Sequence, residues 1–381
     1  MIYLDNSATT RVMPAAAEAA MQAMREDFFN PAAAYTPAAA LEKRVDAVRK
    51  NIADSIGHRS EEIVFTSGGT ESNNTAIFGA LKPVRGKRRI ITTVVEHPSV
   101  YEVFRSLENA PDTEVVYLPV DSMGQVALPA LADALTENTA LVSIMHVNNE
   151  TGAINDIAGA YQMIRRASPS ALFHVDGVQA FCKLPFSAVP CDLYSVSGHK
   201  FHAPKGVGVL YVRGGIRFAG GQIGGGQEQN RRSGTTNVPG ILGMDAALSD
   251  YRKNQSAYLK TMRSCKLRLA QNLSTIPDVL FNGPAPDNGA GHILNVSFLG
   301  IRGEVLLHAL SERQIYVATG SACSAHKKGK NRVLAASGIT GPRQEGAIRF
   351  SFSPFNTIEE MDTAAEAIMS SVAFLRKYQR R

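Results

Sequence analysis

Between residues 63 and 212 the chain alternates short apolar runs with stretches of helical spacing. The runs at 63–66, 90–95, 115–118, 141–147, 172–175, 193–196 and 207–212 are rich in Val, Ile and Leu and read as buried strands. Strands separated by helices predict an α/β fold with a mainly parallel sheet covered on both faces, and ligands bound beyond the carboxyl ends of the strands. Ahead of the sheet, Pro14 is suited to opening a helix that Asn30-Pro31 would end. Leu41, Val45, Val48 and Ile52 recur at helical spacing, with Gly57 placed as a C-terminal stop. From Asn237 a long helical pattern leaves the sheet region. Strands near 294–298 and 348–353 and a helix over 358–375 then predict a smaller α/β lobe. The expected division is a large domain over 12–250, with 1–11 and 251–381 forming the small one.

Polar residues punctuate the strand ends, where this architecture places chemistry. The first strand runs into Ser67-Gly68-Gly69-Thr70 and a helix start, which is either a phosphate cradle or an ordinary capped glycine turn. It matches neither the dinucleotide fingerprint nor the P-loop. The next strand ends in Glu96-His97-Pro98-Ser99, where His97 could stack on a flat ring, shuttle protons or be structural. Asn148-Asn149 follows another strand and offers an amide to a ring substituent, or simply turns the chain. Asp176 closes the 172–175 run and could pair with a protonated pyridine nitrogen or cap a helix. Finally, the 193–196 strand stops at Ser197-Gly198, directly before His199-Lys200. A lysine partly desolvated there can be an amine nucleophile, and Ser197, His199 and His202 offer groups suited to an anionic cofactor.

Composition narrows the class. The 381 residues, 44% of them hydrophobic, suffice for a large core and two domains. The net charge of +6, from 40 basic and 34 acidic residues, is too scattered for a nucleic-acid footprint. No apolar run approaches the ~20 residues of a membrane span, and the first residues lack a basic-then-apolar signal pattern, so cytoplasmic residence is expected. Cys182, Cys191, Cys265 and Cys323 form no CxxC and no zinc-like pairing with histidine. Cys182 reads as a small core residue and Cys265 as incidental, whereas Cys323 sits among small residues in GSACSA (320–325), which predicts an accessible loop.

Taken together, LDNSATT (4–10), FTSGGTESNN (65–74), EHPSV (96–100), HVNNETG (146–152), HVDGVQA (174–180), SGHKFHAPKG (197–206), GGGQE…RRSGTTNV (224–238), GSACSA (320–325) and IRFSFSPFNT (348–357) run nearly the whole chain. In that order they resemble the cysteine desulfurases, class-V aminotransferase-like enzymes of pyridoxal-phosphate fold-type I. The resemblance implies a seven-stranded large domain, a homodimer and pyridoxal 5'-phosphate as cofactor. It implies that Lys200 is the Schiff-base lysine, that Asp176 partners the ring nitrogen, and that His97 stacks on the ring and assists proton transfer. Asn149 and Gln179 would contact the phenolic oxygen region. Gly69, Thr70, Ser197 and His199 would hold the phosphate, with Thr235 reaching in from the second subunit. Arg349 would clamp the substrate carboxylate, and Cys323 would take sulfur from L-cysteine for an acceptor protein such as an iron–sulfur scaffold or a thiolation relay. The alternative it leaves is a selenocysteine lyase or another class-V enzyme. Tyr35, Pro37, Ala203 and Ser353 depart from the pattern and put loop shape in question, Ala203 at the Lys200 loop above all.

Overall fold

The computed structural model describes residues 1–320 and 331–378. The strands expected from the apolar runs form one seven-stranded sheet: β2 (Ile63–Thr66), β3 (Arg88–Thr93), β4 (Thr113–Leu118), β5 (Thr139–Met145), β6 (Leu172–Asp176), β7 (Leu193–Ser197) and β8 (Gly208–Val212). Their spatial order is β2-β8-β7-β6-β5-β3-β4, parallel except for the two antiparallel pairings made by β8. Because side chains alternate along a strand, each strand feeds two cores. In β8, Val209 and Tyr211 join one core while Leu210 and Val212 join the other. The second of these cores is completed by α3 (Gly69–Leu81) and α4 (Pro98–Leu107), through Ile77, Leu81, Val103 and Phe104. Helices α1 (Pro14–Arg25), α2 (Thr36–Ile56), α5 (Leu128–Ala134), α6 (Ile157–Ala167) and the first half of α7 (Val238–Leu273) complete the opposite one.

Two local expectations resolve differently. Gly57 does end α2: its φ of 73° is the left-handed conformation glycine adopts freely, and its N–H bonds to the Ala53 carbonyl. Helix α1, however, stops at Arg25, ahead of Asn30-Pro31, and Phe28 and Phe29 stack on each other at 4.4 Å in the following loop. Asn237 caps α7 by accepting from the Gly240 N–H, and the helix runs on through residue 250 into a third core. There Met262, Cys265 and Leu269 pack with β10 (Ile293–Phe298), α8 (Gly303–Ser311), β12 (Ala347–Ser351) and α11 (Ile358–Tyr378). Cys265 is thus a buried core residue, as is Cys182. A sheet ordered β12-β10-β9, with β9 at Val279–Asn282, backs this core, and the short helices α9 (Arg332–Ala336) and α10 (Gly341–Glu345) precede β12.

An unforeseen pair joins the first residues to the C-terminal third of the sequence: β1 (Ile2–Tyr3) lies parallel to β11 (Ile315–Tyr316). It aims residues 4–10 across the gap between β12 and the strand ends of the large sheet. The Ser351 N–H bonds to the Leu4 carbonyl, and the Ser7 N–H donates to Ser351 Oγ at 2.8 Å.

Candidate active site

Lys200 ends a single helical turn (Gly198–Lys200) directly after β7. Its Nζ donates to the carbonyls of Ser7 and Ala8, both at 2.7 Å, so the amine is held by the N-terminal arm. Ser7 O also accepts from Gln179 Nε2 at 2.9 Å, which brings Gln179 against the same carbonyl as Lys200. Gln179 Oε1 in turn faces Lys183 Nζ at 3.3 Å. Burial, and then the Lys200 charge, push the Lys183 pKa down to about 7. Ala203 leaves the Lys200 turn intact: it is fully buried, and its N–H donates to the Gly198 carbonyl.

Asp176 closes β6 and is buried. Oδ1 accepts from the Val178 N–H at 3.0 Å and Oδ2 from Asn73 Nδ2 at 2.8 Å, on the first turns of α3. Asn73 Nδ2 also reaches Ser99 Oγ, which lies 2.7 Å from His97 Nδ1. His97 is the N-cap of α4, accepting from the Ser99 N–H. Burial lowers its pKa, with Lys200 and Arg332 acting in the same direction and Asp176 against them. Arg332 braces this turn from the far side, stacking 3.6 Å over Tyr101 and donating to the carbonyls of Val94 and Glu96.

A cavity of about 290 Å³ opens where β2, β7 and α3 meet, lined by Thr9, Gly68, Gly69, Thr70, Ser197, His199 and Lys205, among others. A Cβ at Gly69 would stand 2.9 Å from Val178 Cγ2, so the bare backbone keeps the cradle open. The unpaired N–H groups of the α3 start belong to this wall, and Lys205 adds positive charge. His199 Nδ1 lies 3.1 Å from Thr9 Oγ1, and burial together with Lys200 and Lys205 holds its pKa down to about 4.

Arg349, in β12, is buried. It donates from NH1 to the Asn149 carbonyl at 3.0 Å and from NH2 to Asp5 Oδ1 at 2.8 Å, while its Nε–H has no partner. Lys200, Asp176, His97, Gly69, Thr70, Ser197, His199, Gln179, Asn149 and Arg349 therefore belong to one connected site. His202 does not. Its ring is 2% exposed, bonds to the Arg11 carbonyl at 2.7 Å and packs on Tyr251 and Phe355, because a φ of 67° turns it away from the cradle into the core. Thr235 is exposed in the 224–238 loop and is not part of the cavity wall of its own chain. Cys323 lies outside the described residues. Missed in the sequence were the partners that set the geometry: Asp5, the Ser7 and Ala8 carbonyls, Thr9, Asn73, Ser99 and Lys205. Five of these seven lie in LDNSATT and FTSGGTESNN, whose arrangement only folding reveals.

Comparison with known proteins places this geometry in a family. The Aminotransferase class-V family matches residues 2–363. A cysteine desulfurase of Nostoc sp. is 41% identical over 379 residues, covering 99% of this chain and 94% of that protein. Among solved structures, a NifS-like protein superposes with a TM-score of 0.91 at 36% identity, covering 98% of this chain and 99% of that one. Another, SspA in complex with cysteine, gives a TM-score of 0.81 at 30% identity over 94% of this chain and all of the other. The chain belongs to the class-V aminotransferase family, whose members depend on pyridoxal phosphate, and within it to the cysteine desulfurases.

Proposed function

We propose that the protein is a pyridoxal-phosphate-dependent cysteine desulfurase that converts L-cysteine to L-alanine and leaves the sulfur as a persulfide on Cys323. The observation that carries the reading is the meeting, at one set of strand ends, of Lys200, a buried Asp176 carboxylate and a glycine-lined cradle at a helix N-terminus. The residues fit the cofactor: the cradle pairs backbone N–H groups with Thr70, Ser197, His199 and Lys205, all suited to a phosphate. When bound, pyridoxal phosphate supplies an electron sink for the charge left as the substrate α-proton departs.

The protein's own groups divide the remaining work. Asp176 would hold the proton on the ring nitrogen, a task suited to a carboxylate fixed by two donors. Gln179 and Asn149 would contact the phenolic oxygen side, and Lys200 Nζ would be the attaching amine and, once displaced, the base. Arg349 retains N–H groups beyond those given to Asn149 and Asp5, and a guanidinium fork matches the substrate carboxylate. The thiolate of Cys323 would attack the substrate sulfur. The carbon–sulfur bond breaks with its electron pair left on carbon, which is then protonated to give alanine. A free thiol is only a few per cent ionised at neutral pH, so Cys323 needs a proton acceptor at the moment of attack.

Cys323→Ala tests the assignment. The variant should keep a yellow, borohydride-sensitive chromophore and release no sulfide from cysteine with a thiol reductant; undiminished release removes Cys323 from the reaction. A selenocysteine lyase would instead turn over selenocysteine in strong preference to cysteine. The proposal extends to a cytoplasmic homodimer in which Thr235 of one subunit completes the other's cradle, and to an acceptor protein, an iron–sulfur scaffold or thiolation relay, that takes the persulfide sulfur. Among the described residues no helix is long and apolar enough to cross a membrane. The division into 12–250 and 1–11 with 251–381 is supported by the separate cores on either side of mid-α7.

A further inference from the structure

The hydrogen bonds from Asp176 to His97 form a chain in which each donor is forced. Asp176 Oδ2 accepts from the Asn73 amide nitrogen 2.8 Å away, as Oδ1 does from the Val178 N–H. The reversed amide would set a carbonyl oxygen against a carboxylate. The observed orientation leaves Asn73 Oδ1 buried with no partner, an unfavourable feature accepted because both N–H groups are used, on Asp176 and on Ser99 Oγ. Receiving that bond, the Ser99 hydroxyl points its hydrogen at His97 Nδ1, 2.7 Å away, and the Ser99 backbone N–H reaches the same nitrogen at 3.1 Å. A backbone N–H cannot accept. Nδ1 therefore carries the lone pair, and the proton of the neutral ring sits on Nε2.

We propose that Asn73 and Ser99 are positioning residues that hold His97 in the Nε2–H tautomer and couple its ring to the charge on Asp176. The proposal rests on the reading that Asp176 and His97 both serve the cofactor ring. Protonation at Nδ1 would break both bonds from Ser99 and place a cation at the positive end of α4, so the neutral ring is favoured. The charges facing His97 from other elements are Asp176 on β6, which favours the cation, and Lys200 and Arg332, which oppose it. The remaining ring nitrogen, Nε2, is thus a donor in the neutral ring.

Nitrogen NMR of the holoenzyme labelled with 15N-histidine tests this directly, with His97→Gln used only to assign the signal. The parent should show a protonated-type Nε2 and an unprotonated-type Nδ1. In Ser99→Ala the Nδ1 resonance should move toward that of a nitrogen with a free lone pair, and Ser99→Thr, which restores a hydroxyl, should move it back. Asn73→Ala should produce a smaller displacement, reduced again when the Ser99 hydroxyl is already missing, since both act through one oxygen. A parent protonated at Nδ1, an unmoved resonance in Ser99→Ala, or an Asn73 effect equal with and without the hydroxyl would overturn the proposal. These signals do not depend on turnover. The expected pattern in a protein that releases no sulfide would retain the relay and reject the desulfurase reading.

Discussion

Gly208→Ala would drive a methyl group between the two strands that build the site. Gly208 opens β8 and pairs on one side with Thr66, just before the cradle glycines, and on the other with Ser197, just before the Lys200 turn. A Cβ there would come within 2.6 Å of Gly68 Cα and 2.7 Å of the Val196 carbonyl oxygen. Carbon atoms prefer about 3.5–4.0 Å, so the overlap is roughly 1 Å. It is an overlap with backbone, which no side-chain rotation relieves. Overpacking of this kind costs about 1–3 kcal/mol. Should about 2 kcal/mol of strain fall on the cradle, the cofactor dissociation constant would rise about 30-fold. Residual chromophore after dialysis against cofactor-free buffer, together with a urea midpoint, would separate loss of cofactor from loss of fold. Gly215→Ala is the control, since Gly215 has a φ of 78° and open space around it. It should lose about 1–2 kcal/mol of stability to left-handed strain and keep its cofactor. Equal cofactor retention by the two variants would refute the claim that this close approach shapes the cradle.

Two other perturbations read different parts of the site. Asp5→Asn removes the charge facing Arg349 across 2.8 Å at a largely buried position, and the weakened bond, about 1–2 kcal/mol, should raise KM for cysteine roughly 5- to 30-fold with kcat less affected; an unchanged KM would detach Arg349 from the substrate carboxylate. Burial holds the Glu96 carboxyl up at about 8, well above the about 4.3 of an unfolded chain. Between those values the folded state binds a proton that the unfolded state has lost, so stability should fall as pH rises through that window and level off above it. Glu96→Gln keeps an oxygen for the Met145 N–H and the Thr93 hydroxyl, and should flatten that slope in denaturation curves taken at pH values across the window; an unaltered slope would mean another group sets it.

The large sheet was legible in the sequence because seven apolar runs, each bounded by polar turns, leave few alternatives for burying both faces. The strand-end positions of these polar residues were legible for the same reason, since Asp176 follows its run directly and His97 and Lys200 stand in the turns just after theirs. His202 was misread because proximity along the chain says nothing about a backbone twist two residues past the lysine. The anchoring of Lys200 by main-chain carbonyls has no side-chain signature at all. Nor could Asp5 be matched to Arg349, 344 residues away, by periodicity or spacing. Strand β1 was invisible because two residues carry no pattern, and its partner β11 is equally short.

That the Lys200 amine rests on carbonyls of the first ten residues, themselves pinned to β12, has a consequence for biosynthesis. A ribosome releases the lysine long before residue 351, and until then the leading segment lacks the edge that fixes it. A nascent large lobe can fold around its sheet while its amine stays unclamped. Competence would therefore arrive late and abruptly, when the last strand of the smaller lobe docks, and incomplete chains would carry the chemical groups without the alignment that makes them reactive.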